Sequence, residues 1–451
     1  MLWKCFGSRE GAEIGVSLTT PDKIRQLQKK LYLKAKQEPD YRFYLLYDKV
    51  YREDILAHAW QLVREHNGAP GVDGVSCEDI EARGLDEWLA GIRKELHEQT
   101  YKPDPVRRVM IPKRDGGERP LGIPTIRDRV GQTAAKLVLE PIFEADFEPN
   151  AYGYRPERSA QDAVQEVHRG LREGYWEVVD ADLSRYFDTI PHAELLQSLA
   201  RRISDGKLLR LLKLWLTAEV EERDEDGKVH RSGGQRSRQG TPQGGVISPL
   251  LANVYMNRFL KHWRRQGKGP QFRARLINYA DDFVILSAGR AAPALEWTSK
   301  VMAALKLSLN HAKTSIKNGQ RERFDFLGYS FGPEQLRPPR SGWYVAARPS
   351  KRSLAQLRAS VAEVLKPANT DPWQKTVTEL NRKLRGWANY FSYGTTWPSY
   401  WAADWYVCDR VRGFLQRRHK VPTRGTQRFS DQYIYSRLGV LSLRTLRARP
   451  A

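Results

Sequence analysis

The sequence predicts an α+β chain: a strand-bearing N-terminal three quarters followed by an all-helical quarter. Two apolar runs, Val178–Leu183 and Ile277–Leu286, have the length and branched content of buried strands, and Phe324–Phe331 is a third. After about residue 345 the apolar residues fall at spacings of three and four, the period of one helix face. No internal repeat or low-complexity run interrupts the pattern.

In chain order, residues 1–20 read as a loose tail, and Pro21 to about His66 is helical in pattern with many charges. A turn cluster follows, Asn67-Gly68-Ala69-Pro70-Gly71-Val72-Asp73-Gly74, whose glycines relax the φ limits. Leu85–His97 reads as a helix. Val106–Ile111 alternates as a strand, Asp115-Gly116-Gly117 makes a hairpin turn, and Arg119–Ile123 returns. Arg127–Phe147 is apolar at helical spacing, with Pro141 as a kink or boundary. Glu221–Arg231, between the first two buried strands, reads as a charged hairpin excursion. Three C-terminal stripes complete the pattern. They are Leu354, Leu357, Val361, Leu365; then Val377, Leu380, Leu384, Trp387, Phe391; then Trp401, Trp405, Cys408, Val411, Leu415. These stripes suit the core of a helical bundle, leaving Lys351, Arg352, Arg382, Lys383, Arg385, Arg412, Arg417, Arg418 and Lys420 on other faces.

The 451 residues carry 75 Lys+Arg against 53 Asp+Glu, a net +22, which favours an anionic partner, nucleic acid first. From Ser341 to Ala451 the count is 20 basic against 6 acidic, so about a quarter of the chain holds +14 of that excess. The same segment has six of the thirteen tryptophans, and cation with aromatic is the pairing that tracks a phosphate backbone and stacks on bases. Cys5, Cys77 and Cys408 form no CxxC pair, which argues against a disulfide framework or a cysteine zinc site and fits a reducing compartment. The longest uncharged stretches, Gln239–Asn257 and Gly386–Ala403, contain Gly, Pro and polar residues, so no membrane partner is expected.

Two acidic sites stand inside apolar surroundings. One is Asp180-Ala181-Asp182-Leu183-Ser184-Arg185-Tyr186-Phe187-Asp188, the other Tyr279-Ala280-Asp281-Asp282. Carboxylates in such runs are costly to bury unless paired or bound to metal. Neighbouring strand residues face opposite ways, so Asp281 and Asp282 converge only at or beside a hairpin turn. If Asp182 ends an adjacent strand, three carboxylates meet on one sheet edge, a donor set for hard divalent cations, Mg²⁺ above all. Two such ions suit an in-line displacement at phosphate.

The order of these motifs resembles reverse transcriptases, specifically the proteins encoded by bacterial group II introns. The resemblance runs from about Asn67 to about Lys420. It rests on Asn67–Gly74; on Ile111-Pro112-Lys113-Arg114-Asp115-Gly116-Gly117-Glu118-Arg119-Pro120-Leu121-Gly122-Ile123-Pro124-Thr125; and on Ala151-Tyr152-Gly153-Tyr154-Arg155-Pro156. The Asp182 segment, Gly240-Thr241-Pro242-Gln243-Gly244-Gly245-Val246-Ile247-Ser248-Pro249, the Tyr279–Asp282 box, Leu309–Thr314 and Phe324–Tyr329 follow in family order.

The resemblance implies a right-hand polymerase: tail 1–20, fingers 21–150, a palm with an antiparallel sheet 151–339, a helical thumb or maturase domain 340–425, and a C-terminal extension 426–451. It implies that Asp182, Asp281 and Asp282, with Leu183, hold two Mg²⁺ ions, Mn²⁺ being a substitute. Lys113 and Arg119 resemble the finger cations on the incoming deoxynucleoside triphosphate, and Gln243 the floor under the nascent pair. Phe187 resembles the aromatic gate against a ribose 2′ hydroxyl, and Lys313 is a candidate general acid for the leaving pyrophosphate. Arg382, Lys383, Arg385, Arg412, Arg417, Arg418 and Lys420 fall in blocks that resemble the segments gripping intron RNA for splicing.

The implied partners are a group II intron RNA in a ribonucleoprotein, an RNA template with a DNA primer, and deoxynucleoside triphosphates; the implied place is the bacterial cytoplasm, at the nucleoid when acting on DNA. Many relatives continue into a His-Asn-His nuclease, whereas this sequence stops at Ala451, so cleavage of a target in cis is not expected. Two alternatives stand beside this reading: a domesticated enzyme in host defence or repair, and an RNA-binding splicing factor without polymerase activity.

Overall fold

The computed structural model describes residues 20–112, 117–224, 226–310, 312–336, 342–423 and 425–446. The N-terminal helical stretch is divided by its own breakers. Helix α1 (Asp22–Gln37) stops before Pro39, a short α2 (Tyr47–Val50) follows, and α3 (Glu53–His66) ends on Asn67, whose φ of 37° is left-handed. Ser76 and Asp79 form a reciprocal capping box that opens α4 (Cys77–Arg83). Helix α5 (Leu85–His97) leads to the hairpin of β1 (Val106–Pro112) and β2 (Glu118–Ile123). Helix α6 (Ile126–Glu144) is capped by Thr125 and runs past Pro141, which therefore does not bound it as expected. Burial of Val138, Leu139, Ile142 and Phe143 holds both sides of that proline in one helix.

The next segment alternates helix and strand: α7 (Ala160–Arg172), β3 (Glu177–Ala181), α8 (Tyr186–Thr189), α9 (His192–Ala200) and α10 (Gly206–Leu216). The charged excursion is indeed a hairpin, β4 (Glu219–Arg223) with β5 (Val229–Gly233). It adds to the first hairpin, because β4 runs parallel to β1 in a sheet ordered β2-β1-β4-β5. Helix α11 (Ser248–Arg265) and a turn of helix, α12 (Lys268–Gln271), precede β6 (Ala274–Tyr279) and β7 (Asp282–Ser287). The run Ile277–Leu286 is thus two strands about a tight turn. Helix α13 (Ala291–Ala304) and β8 (Ser315–Asn318) complete an antiparallel sheet ordered β6-β7-β3-β8.

This second sheet is buried on both faces, and period-two alternation assigns the cores. Val179 of β3 and Phe283 and Ile285 of β7 join a core shared with α1–α6 and α9–α11, while Val178, Val284 and Leu286 join a second core. The second core includes β9 (Phe324–Phe326), β10 (Tyr329–Gln335), β11 (Trp343–Pro349) and helices α14 (Lys351–Val364), α15 (Trp373–Tyr390) and α16 (Trp397–Arg418). The predicted strand Phe324–Phe331 is split into β9 and β10 by Leu327 and Gly328, both at positive φ.

The first two helical stripes pack as expected, with Leu357, Val361 and Leu365, then Val377, Leu380, Leu384, Trp387 and Phe391, all buried. The third is corrected. Trp401 and Trp405 are 52% and 64% exposed, and the buried face of α16 is Tyr400, Ala403, Val407, Cys408, Val411 and Phe414. At 3.6 residues per turn Trp401 lies about 120° and Trp405 about 160° from Val407, the centre of the buried arc.

Candidate active site

Asp182 follows the last residue of β3. Alternation puts it and Asp180 on the face of Val178, toward the second core. The chain is pinned there by a crossing strand: Asn310 N–H donates to the Asp182 carbonyl at 2.8 Å, Ser184 N–H to the Ser308 carbonyl at 2.9 Å, and Leu183 bridges Leu309. Lys313 Nζ lies 3.4 Å from Asp182 Oδ2, and Lys317 Nζ lies 3.0 Å from Asp180 Oδ2.

On the adjacent strands Tyr279 pairs with Asp282, leaving Ala280 and Asp281 as a two-residue turn. Ala280 has a φ of 58°, a left-handed conformation that a non-glycine residue adopts only when its surroundings enforce it. Two neighbours do so. Buried Asn278 donates through Nδ2 to the Ala280 carbonyl at 2.8 Å, while its backbone bonds to Asn150 and Tyr152. Gly153 packs against the turn, where a Cβ would lie 2.4 Å from the Ala280 nitrogen, and its carbonyl accepts from Asn253 Nδ2 at 2.7 Å. Asn278, Gly153 and Asn253 were not among the sequence-predicted site residues. A polar residue closing the apolar run Leu276-Ile277 was the one available signal for Asn278.

Because Ala181 pairs with Phe283, the end of β3 and the β6–β7 turn share one sheet edge, which brings the backbone of Asp182, Asp281 and Asp282 to the same side of the sheet. Their side chains are less gathered than expected: among the described residues no three His, Cys, Asp or Glu side chains form a group that could hold a metal ion. The electrostatics are nevertheless those of crowded negative charge. The Asp282 carboxyl reaches solvent at the rim, yet protein packed around it, then the charges of Asp281, Asp182 and Asp180, push its pKa up to about 7, with Lys313 opposing. Burial likewise raises Asp180 against the pull of Lys317. Hard oxygen donors carrying excess negative charge fit a divalent cation in chemistry.

Phe187, on α8, is buried, its ring edge-on to that of Tyr154 at 6.5 Å. Its carbonyl accepts the Thr241 N–H at 2.7 Å, which ties α8 to the loop bearing Gln243. The Gln243 carbonyl in turn accepts the Gly122 N–H at 2.5 Å. Gly244, at a φ of 112°, approaches Gly122 so closely that a Cβ would lie 2.2 Å from its oxygen, so this loop is docked on β2. Lys113 and the side chain of Arg119 lie outside the described residues.

The C-terminal cations expected to meet RNA divide. Arg382, Arg385, Arg417 and Lys420 are exposed, and Lys383 is half-buried beside Glu379. Arg412 instead turns inward: it bonds the Phe429 carbonyl and pairs with Asp431 at 2.5 Å, tethering the chain after α16. Arg418 is exposed but donates to the carbonyls of Asp371 and Thr370. No helix among the described residues is long and apolar enough to cross a membrane.

Residues 111–331 match the family described as Reverse transcriptase (RNA-dependent DNA polymerase), and residues 354–434 the one described as Group II intron, maturase-specific domain. Protein YkfC of Escherichia coli (strain K12) is 36% identical over 344 residues, covering 68% of this chain and 87% of that protein. Group II intron-encoded protein LtrA of Lactococcus lactis subsp. cremoris is 34% identical over 224 residues, 49% of this chain but 36% of its own length. The Putative COX1/OXI3 intron 1 protein of Saccharomyces cerevisiae is 27% identical over 334 residues, 63% of this chain and 39% of that one. The chain thus spans most of the first of these relatives and well under half of the other two.

Proposed function

As the chain belongs to the group II intron-encoded reverse transcriptase and maturase family and is an RNA-directed DNA polymerase by its domain, we propose that it extends a DNA primer along an RNA template while bound to a group II intron RNA. The observation that carries this reading is the shared sheet edge of Asp182 and the Asp281–Asp282 turn.

The carboxylates of Asp182, Asp281 and Asp282 and the backbone oxygen of Leu183 would hold two Mg²⁺ ions, with Mn²⁺ as a substitute. When bound, such ions supply Lewis-acid stabilisation of the attacking 3′ oxygen and the leaving phosphate oxygen. Everything else falls to the chain. Lys113 and Arg119 neutralise the triphosphate. Phe187 closes the space a 2′ hydroxyl would need, and the Gln243 loop forms the floor beneath the new pair. Lys313, already within 3.4 Å of Asp182, donates a proton to the pyrophosphate. The exposed cations Arg382, Lys383, Arg385, Arg417, Arg418 and Lys420 hold RNA phosphates, whereas Arg412 shapes the segment that follows them.

Primer extension by the purified protein on an RNA template with deoxynucleotides and Mg²⁺ tests this. We expect extension, and its loss by more than about 10²-fold in Asp281→Asn/Asp282→Asn. A wild-type chain that binds RNA tightly yet extends no primer would leave only the splicing-factor reading.

A further inference from the structure

Behind the palm sheet a cleft of about 920 Å³ opens between the loop after α1, the ends of α6 and α9, and the C-terminal halves of α11 and α13. Its apolar walls, Val254 and Leu305, belong to the first core, on the face of the sheet opposite Asp180 and Asp182. None of its lining residues lies in a catalytic segment.

The lining is strongly cationic: Arg201, Arg202, Arg258, Lys261, Arg265 and Lys300 face two acids, Asp40 and Asp146. Asp146 is engaged by Arg202 at 3.1 Å and by Lys261 at 3.9 Å, and Lys300 pairs with Glu296. Among the described residues no carboxylate lies within 4.0 Å of Arg201, Arg258 or Arg265. The Arg258 guanidinium lies over the Tyr255 ring at 5.2 Å, with Nη1 buried and without a hydrogen-bond partner. Arg258, Lys261 and Arg265 are spaced three and four apart on one face of α11, so they form a row about 10 Å long. A row of that length can meet neighbouring phosphates of one strand. A linear row of cations open at its mouth suits a polyanion better than a compact anion.

We propose that this cleft binds the phosphate backbone of a structured RNA at the rear of the palm, leaving the catalytic edge free for template and primer. The inference rests on the reading that the chain binds RNA.

The test compares wild type with Arg201→Gln/Arg265→Gln, both exposed side chains, and with Arg258→Gln. A control, Lys23→Gln/Arg25→Gln, removes two exposed cations at the start of α1. The probe is a folded group II intron transcript, with binding measured over a salt series and primer extension measured on a short primer–template. The double variant is expected to lower the slope of log K against log salt by about 1.5, roughly 0.7–0.9 per lost phosphate contact, and to weaken binding about tenfold or more. Arg258→Gln is expected to lower it by about half as much, at an unchanged melting temperature. Extension rates and the control's slope should equal wild type. An unchanged slope in the double variant, or an equal fall in the control, overturns the inference. So does binding of inorganic tripolyphosphate that the variants lose while the transcript's slope stays put, which marks a small-phosphate site. If wild type binds no transcript, the RNA-binding reading itself has failed.

Discussion

Gly153→Ala tests whether the segment preceding α7 fixes the turn that carries Asp281 and Asp282. Gly153 has no positive φ, so alanine is not strained by backbone conformation, and only the close approach matters. Its Cβ would stand 2.4 Å from the Ala280 nitrogen, 3.0 Å from the Tyr279 carbonyl carbon and 3.1 Å from the Ala280 Cα, all backbone atoms that cannot rotate away. Ordinary contact begins near 3.4 Å, so the two segments must part by about 1 Å. Asn253 holds the Gly153 carbonyl from the other side, so much of that movement falls on the turn carrying Asp281 and Asp282.

Misplacement of a reacting constellation by about 1 Å costs on the order of 10²-fold in rate. Overpacking of this size also costs about 1–3 kcal/mol of stability. Single-turnover extension of a primer by one deoxynucleotide, with a thermal melt alongside, separates the two effects. The expected result is a single-turnover rate lowered about 100-fold with the apparent Kd for the nucleotide moved far less. Gly386→Ala serves as the reference: that site, within α15, has nothing within 4 Å of the new Cβ, so activity should hold and stability rise by about 0.4–1 kcal/mol. A Gly153→Ala enzyme within about threefold of wild type would refute the claim that this contact positions the carboxylates.

Phe187→Ala should admit ribonucleotides, read as a narrowed ratio of kcat/KM between deoxynucleotide and ribonucleotide; an unaltered ratio removes Phe187 from sugar selection. Since burial, and after it the neighbouring carboxylates, lift the Asp282 pKa to about 7, a cation must displace a proton below that pH. Mg²⁺ binding should therefore tighten as pH rises to about 7 and then level off, with proton release seen by calorimetry in buffers of different ionisation enthalpy and abolished in Asp282→Asn. The sign for folding is opposite. The native chain holds a proton that the unfolded chain loses above the ordinary carboxylate range, so this group's contribution to stability falls as pH rises toward 7. Asp404→Ala should destabilise by about 3–5 kcal/mol in a denaturant melt, since buried Asp404 accepts from Ser442 Oγ, Leu443 N–H and Arg444, whose charge it would leave unpaired.

The sheet edge shared by Asp182 and the Asp281–Asp282 turn was legible because carboxylates inside apolar strands are anomalous, and a tight turn is the one arrangement that lets Asp281 and Asp282 serve the same edge. What holds that turn was not legible. Asn278 looks like any polar residue at a strand end, and Gly153 like any turn glycine, until the turn is seen resting on both. The pairing of β4 with β1 was hidden for a related reason. It is a non-local contact of two residues, Val106 with Val220 and Arg107 with Glu221, and leaves no period in the sequence. The α16 face was misread because spacing fixes which residues share a face, while the direction of that face is set by the partner, here α14 and the chain around Leu443.

Charge shows the same division between what is local and what is not. The +14 after Ser341 pointed to the thumb as the seat of RNA binding, but Arg412 and Arg418 are already engaged by Asp431 and by backbone carbonyls. Their charge remains, but their donors are partly committed. The sequence Lys261-His262-Trp263-Arg264-Arg265 reads, in isolation, as cations complementing a helix C-terminus. In the fold, Arg264 pairs with Glu148, whereas Lys261 and Arg265 turn with Arg258 into a cleft that also collects Arg201 from α9's end and Lys300 from α13. Three segments far apart in the sequence thereby bring their cations to one cleft. The position of a phosphate-binding surface follows from which helices are neighbours, and net charge per segment does not report that.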